Sequence, residues 1–415
     1  MKVFKFGGAS LKDVAAVKNV ASIIQSYSKD KLLVVVSAMG KTTDALEKII
    51  ALSQANQNFD NELNSLKEYH LQIVNGLFSD STKVKENLNQ LFIELKEKAT
   101  LKGEYDFVYD QVICFGEIIS SVIVYHFLLQ EKLVAEWIDS RKYILTDSTF
   151  REGQVQWSET AKKIQPLSQT QNKIIVAQGF IGSNEKGETV SLGREGSDFT
   201  AAIFGSSLKA ESVTIWKDVP GVMSADPRRI ANAIVFDELP YKETAEMTYY
   251  GASVIHPKTV KPLANKNIPL LVKSFIDPKL EGTKIYDCYV HKLPPLIVHK
   301  TNQCLISCKA TDYTFIDEEQ LEIIFKVIHE NGMHINLMQN SAISFSFCVD
   351  YREHKVMKLI QTLSENFEVY YNSNLTLITI KNYDAKTFEE YRNMKGVILE
   401  QSSRTTLQVL VKDFK

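Results

Sequence analysis

Short, unbroken apolar runs alternate with stretches of helical periodicity through most of the chain. Residues 3–6 read as a strand ended by Gly7-Gly8, and Ser10 with Asp13 offers an S-x-x-D helix start. Leu11, Val14, Val17, Val20, Ala21 and Ile24 then recur at helical spacing. The pattern repeats as a strand at 32–36, a turn at 37–43 containing Gly40, and a helix at 44–52. Strands without polar alternation, each followed by a turn and a helix, predict an α/β fold: a three-layer α/β/α domain whose mainly parallel sheet is covered by helices on both faces.

Residues 60–130 carry helical periodicity and end in an apolar stretch, 112–129, that holds one acid, Glu117. Strands are expected at 133–138 and 173–177, then a hairpin over 179–192 turning at Asn184-Glu185-Lys186-Gly187. A helix at 198–208, a strand at 213–216, a polar loop with Pro220-Gly221 and Asp226-Pro227, a helix at 241–255 and a strand at 268–272 follow. The character changes at Pro294-Pro295, which divides the chain into 1–293 and 294–415. The second part reads as β-α-β-β-α-β: strand 304–309, helix 318–331, strands 335–338 and 343–349, helix 354–366, strand 374–380. A shorter second attempt follows, with helix 388–394 and strands 397–400 and 406–411 and no closing helix.

Composition narrows the class. A chain of 415 residues with 44% hydrophobic and 24% charged residues is globular and long enough for two or three cores. With 48 basic against 50 acidic residues, no overall field draws it to nucleic acid or to an anionic membrane. Five scattered cysteines suit a reducing compartment better than a disulfide framework. Cys304 and Cys308 share a strand face but lack the second pair a metal site requires, so they read as free thiols. The N-terminus has no signal-like apolar segment, and no apolar run approaches the roughly 20 residues of a membrane span, so a cytoplasmic location is expected.

The candidate chemistry lies in turns between strand ends and helix starts, where backbone N–H groups and the helix dipole suit a phosphate. There are three: Gly7-Gly8-Ala9-Ser10, Ser37 to Thr43, and Gly193 to Asp198. Gly40-Lys41-Thr42 ends like a P-loop, but the first glycine that motif needs falls on Val35, and no G-x-G-x-x-G occurs. Lys5, just before the double glycine, either reaches bound phosphates or is a solvated strand-end lysine. Glu117, within an apolar helix, needs a partner for its charge, either a substrate ammonium or a structural cation. Arg194 offers a planar fork for a carboxylate beside Ser197 and Asp198, and surface solvation is its plainer reading. Asp218 and Asp226 suit contacts to a nucleotide or Mg2+, or ordinary turn formation.

Taken in order, Lys5 to Ser10, Ser37 to Thr43, Phe115-Gly116-Glu117, Gln178 to Gly182, Leu192 to Asp198, Val219 to Arg228 and Gly251 to Pro257 resemble the aspartate kinases of the amino acid kinase superfamily. The C-terminal part looks like that family's paired ACT regulatory units, ferredoxin-like α+β domains, the second interrupted by the first. The resemblance implies transfer of the ATP γ-phosphoryl group to L-aspartate with Mg2+, and it assigns no metal-ligating residues. It makes Lys5 and Asp198 catalytic. It assigns aspartate to Thr42, Glu117, Arg194 and Ser197, and the nucleotide to Lys5, Gly7, Gly8, Ser10, Lys217, Asp218, Met223 and Arg228. A lysine or threonine effector and a homodimer formed through the ACT region are further implications. Three positions depart from the family pattern: Ala9 for a hydroxyl residue, Glu195 for glycine, and Ser253 for a lysine found in some members. A catalytically weak effector-binding homologue and a kinase for another acceptor stay open at this point.

Overall fold

The computed structural model describes residues 1–171, 173–251, 255–311 and 314–412. It falls into two compact units, Met1–Val222 with Val235–Ala245 and Ser253–Val290, and Met223–Ile234 with Glu246–Ala252 and His291–Lys415.

The strands of the first unit are β1 (Lys2–Phe6), β2 (Leu32–Val36), β3 (Ala135–Trp137), β4 (Ile174–Gln178), β5 (Ile181–Ser183), β6 (Thr189–Ser191), β7 (Ser212–Lys217), β8 (Glu238–Pro240), β9 (Leu270–Ser274) and β10 (Thr283–Tyr286). Its helices are α1 (Val14–Ser26), α2 (Thr42–Gln54), α3 (Asp60–Leu77), α4 (Thr82–Ala99), α5 (Tyr105–Ile113), α6 (Phe115–Gln130), α7 (Trp157–Ile164), α8 (Gly196–Leu208), α9 (Tyr241–Tyr249), whose last residues belong to the second unit, and α10 (Pro257–Ala264). β5 and β6 form the hairpin expected around Asn184; the other eight strands make one sheet in the order β3-β4-β2-β1-β7-β9-β10-β8. From β3 through β9 all neighbours are parallel; β10 pairs antiparallel with β9 and parallel with β8, so the last two strands run opposite to the rest.

The two-residue period of a strand sorts β1 between the faces of this sheet. Phe4 and Phe6 join Leu32, Val34, Val36, Ile174, Val176 and Trp216 in a buried cluster with α1 to α6, where Phe6 stacks on Trp216 at 5.8 Å. Lys5 alternates to the other face, the side on which α8 packs. Chain order reverses about β1, since β2 and β4 lie to one side and β7 to the other. The register puts Phe6, Val36, Gln178 and Trp216 level, so the turns after these strands open at one edge, where sheets of this kind receive ligands.

Two local expectations change. Residues 8–11 form a one-turn 3-10 helix, and α1 starts only at Val14, capped by Asp13, whose carboxylate accepts from Ala16 N. The stretch Tyr105–Gln130 is, by length and composition, apolar enough to cross a membrane, contrary to the sequence reading; scattered polar residues interrupt the run without lowering its average, and 78% of its most apolar window is buried.

The second unit contains β11 (Leu296–Lys309), α11 (Glu318–Glu330), β12 (Ile335–Asn340), β13 (Ser344–Asp350), α12 (Glu353–Leu363), β14 (Glu368–Lys381), α13 (Ala385–Arg392), β15 (Val397–Ser402) and β16 (Thr406–Lys412). They form one antiparallel six-stranded sheet, β12-β13-β11-β14-β16-β15. The far part of β11, α11, β12, β13, α12 and the near part of β14 make a β-α-β-β-α-β ferredoxin-like half. The remaining parts of β11 and β14, with α13, β15 and β16, make the other. Each long strand thus serves both halves, and its pairing shifts register between Lys300 and Leu305, near Asn302 and Asn374, both left-handed at φ 57°. Cys304 and Cys308 do share a face, packed beneath α11 and α12.

Candidate active site

The turns after β1, β2, β4 and β6 border a single cavity of about 750 Å3. Its wall includes Lys5, Gly8, Ser37, Ala38, Gly40 and Thr43 from the first two turns, Glu117 from α6, and the run from Gly193 to Asp198 that opens α8. Lys5, Glu117, Arg194, Ser197 and Asp198 are therefore brought together from three separate stretches of sequence.

Lys5 and Asp198, both on the cavity wall, belong to an ion-pair chain that continues behind it to Lys217. Lys5 Nζ lies 2.6 Å from Asp198 Oδ1, and Lys217 Nζ, at the end of β7, lies 3.2 Å from Asp198 Oδ2. Burial disfavours charge on Asp198, yet the two ammonium groups outweigh it and hold its carboxyl below the usual carboxylate range. Glu117 is the contrasting acid. Burial pushes its carboxyl up to about 8, against the opposing pulls of the Ala38 N–H, which donates to Oε1 at 3.2 Å, and of Lys5. An acid so situated lacks a full cationic partner, which an incoming ammonium would supply.

The glycine turns approach each other closely. Gly40 N donates to Gly8 O at 3.1 Å, and a Cβ on Gly8 would stand 2.8 Å from Ala38 O. Gly7 lies beside Lys5 Nζ, and Ser10, fully buried, donates its hydroxyl to Gly7 O at 2.6 Å, so it braces the turn rather than lining the cavity.

Thr42 differs from its sequence assignment. It is buried on the core face of α2 with Leu46, Ile49, Ile50 and Ser53, donates to Met39 O at 2.6 Å, and lies 3.3 Å from His70 Nε2. Thr43 is the threonine on the cavity wall. Had the helical period been carried back from Leu46 and Ile49, it would have put Thr42 inside. Asp218 is exposed just past β7, and the cavity wall does not include it. Met223 and Arg228 belong to the second unit, where Arg228 pairs with Asp226 at 2.9 Å. Ser253 lies outside the described residues.

The sequence reading missed the opposite wall. Asp106, Tyr109, Thr149, Phe150, Arg151 and Glu152 line the cavity. Asp110, buried behind them, fixes this loop by accepting from Arg151 N at 2.8 Å and from the N–H and hydroxyl of Ser191. Arg151 lies over the Tyr109 ring at 4.3 Å. No local motif in the sequence announces this wall, because it forms only when α5 meets β6.

Residues 1–274 match the amino acid kinase family, and the chain belongs to that family. The lysine-sensitive aspartokinase 3 of Escherichia coli is 30% identical over 355 residues, covering 84% of this chain and 78% of that protein. The chloroplastic bifunctional aspartokinase/homoserine dehydrogenase 2 of Arabidopsis thaliana is 31% identical over 383 residues, 88% of this chain, which spans only 42% of that longer protein. The crystal structure of E. coli aspartokinase III with aspartate and ADP superposes with a TM-score of 0.85 at 27% identity, covering 99% of this chain and 96% of that one. Its complex with lysine and aspartate gives 0.82 at 26% identity with the same coverage. Within the family, the chain stands among the aspartokinases.

Proposed function

We infer that this protein is an ATP-dependent aspartate kinase, transferring the γ-phosphoryl group of ATP to the β-carboxylate of L-aspartate to give 4-phospho-L-aspartate and ADP, a step that feeds lysine, threonine and methionine synthesis. The observation that carries this is the meeting of Lys5, Glu117 and Arg194 on one cavity wall with the Gly8 and Gly40 turns.

An acceptor carboxylate with an ordinary pKa of about 3.9 is already ionised at pH 7, so the reaction needs no general base. The obstacle is bringing an anionic nucleophile to an anionic phosphate, and positioning with fixed positive charge is what lowers that barrier. In this reading Glu117 takes the substrate ammonium, Arg194 its α-carboxylate, and Ser197 and Thr43 add hydroxyls. Lys5, aimed by Asp198, faces the transferring phosphoryl group, and Lys217 supports the nucleotide phosphates. Mg2+, when bound, supplies charge neutralisation. Both Asp198 oxygens already face lysines, so an ion shared with nucleotide phosphates suits this site better than one held by that carboxylate.

The second unit is read as paired ACT-type halves that bind an amino-acid effector, with lysine the first to test given the lysine-sensitive relative, and that join two copies into a homodimer. All five cysteines are free, which supports a reducing, cytoplasmic setting. ADP release measured with L-aspartate, L-glutamate or no acceptor tests the activity. Release that requires aspartate is expected. Equal rates without acceptor would leave a weak homologue, and preference for glutamate another kinase.

A further inference from the structure

Glu195 occupies an unusual place. Its backbone is left-handed at φ 56°, a conformation that costs a non-glycine residue free energy, and it stands immediately before the first residue of α8, where the helix dipole favours an anion. It lines the same cavity as Lys5 and Asp198, and its Oε2 lies 3.7 Å from Lys217 Nζ. Lys5, Asp198, Lys217 and Glu195 thus alternate in sign, and their four charges cancel. A phosphate drawn to this end of the cavity meets a neutral set in which a carboxylate already takes the position an anion would seek.

Taking the kinase reading above as given, we propose that Glu195 is a resident anion that engages Lys217 in the nucleotide-free protein and yields it to a phosphate oxygen on binding, so that this one carboxylate sets nucleotide affinity. The side chain suits such an exchange. It retains 34% of its exposure against 18% for Lys217 and none for Asp198, so Glu195 can swing toward solvent while Asp198 stays fixed. Glu195 acts here through Lys217 and through repulsion of the phosphates, which makes it a positioning residue and not a catalytic one.

Calorimetric titration of the full chain with ADP and Mg2+, and separately with adenosine, tests this. Glu195→Gln keeps the side chain's length and removes its charge; it is expected to tighten ADP binding about tenfold and to leave adenosine binding unchanged, because only the phosphates feel the carboxylate. Glu195→Gly also relieves the left-handed backbone and is expected to move ADP affinity the same way, which assigns the effect to charge. In turnover, KM for ATP falls while KM for aspartate holds. Unchanged or weaker ADP binding by the Gln variant overturns the proposal, as does equal tightening of ADP and adenosine, which would mark a purely structural effect. Failure of the unaltered protein to bind ADP would instead overturn the kinase reading, and this proposal with it.

Discussion

Lys5 and Asp198 are joined at 2.6 Å between the second-to-last residue of β1 and the first turn of α8, with the Asp198 side chain wholly shielded from solvent and that of Lys5 only 11% exposed. A lysine so held is fixed by the sheet below and the helix beside it, so its ammonium reaches the cavity without the entropy loss of ordering a free side chain.

Replacing Lys5 separates its chemical role from its structural one. Lys5→Ala is expected to cut kcat by orders of magnitude while the protein remains folded, since Lys217 still faces Asp198. The half-compensated carboxylate should lower stability by about 3 kcal/mol or less. Thermal unfolding alongside ADP release reads both. Near-normal turnover would remove Lys5 from the mechanism.

Glu117 makes both stability and substrate binding depend on pH. Its carboxyl sits at about 8 when folded against an ordinary value of 4.5, so the native state holds the proton more tightly than the unfolded chain does. Stability from this group is complete below pH 4.5 and is lost as pH rises through about 8. Glu117→Gln should flatten that decline in urea titrations run across the interval. The substrate ammonium requires the ionised form, so KM for aspartate in the parent protein should fall about fivefold from pH 7 to pH 8. A KM that does not change over that range would show that Glu117 is not the ammonium's partner.

The two adjacent threonines should behave oppositely. Thr43→Val, on the cavity wall, is expected to raise KM for aspartate with little change in melting temperature. Thr42→Val removes the hydroxyl beside the buried His70, whose imidazole burial pushes down to about 4, and should cost roughly 1–2 kcal/mol with KM nearly unaltered. Reversed outcomes would return the substrate contact to Thr42.

At Gly8 the limit is steric. A methyl there meets the Ala38 carbonyl at 2.8 Å and forces apart two turns that the Gly40 N–H joins. Gly8→Ala should weaken ADP binding at least tenfold by calorimetry, in line with a shift of about 1 Å in the phosphate-facing backbone.

Much of this was readable from the chain because buried parallel strands are apolar on both faces. Residues 32–36 and 173–177 announce β2 and β4 closely, and the hairpin turn at Asn184 is where its residues demand it. The short strands β8, at the sheet's edge, and β10, next to it, leave no trace in the pattern, since three or four residues with mixed polarity carry no period. Of β11 and β14, each 14 residues long, the pattern shows only 304–309 and 374–380, half or less, because the register shift near Asn302 and Asn374 breaks the alternation that pattern reading follows. In the site, Glu117 stands out as a lone acid in an apolar helix, and Lys5 and Arg194 by their places beside glycine turns, whereas the wall around Tyr109 and Arg151 depends on contacts between residues some 40 apart that no local pattern encodes.

In the second unit, the sharing of β11 and β14 removes any natural cut between its halves. Leu305, Leu337 and Cys348 from one half bury against Leu375, Leu377, Leu399 and Leu410 from the other, so neither could be excised without baring the apolar flank of its twin. Whatever ligand stiffens one end of those two backbones must therefore be felt along their whole length, and the pair melts as a single body.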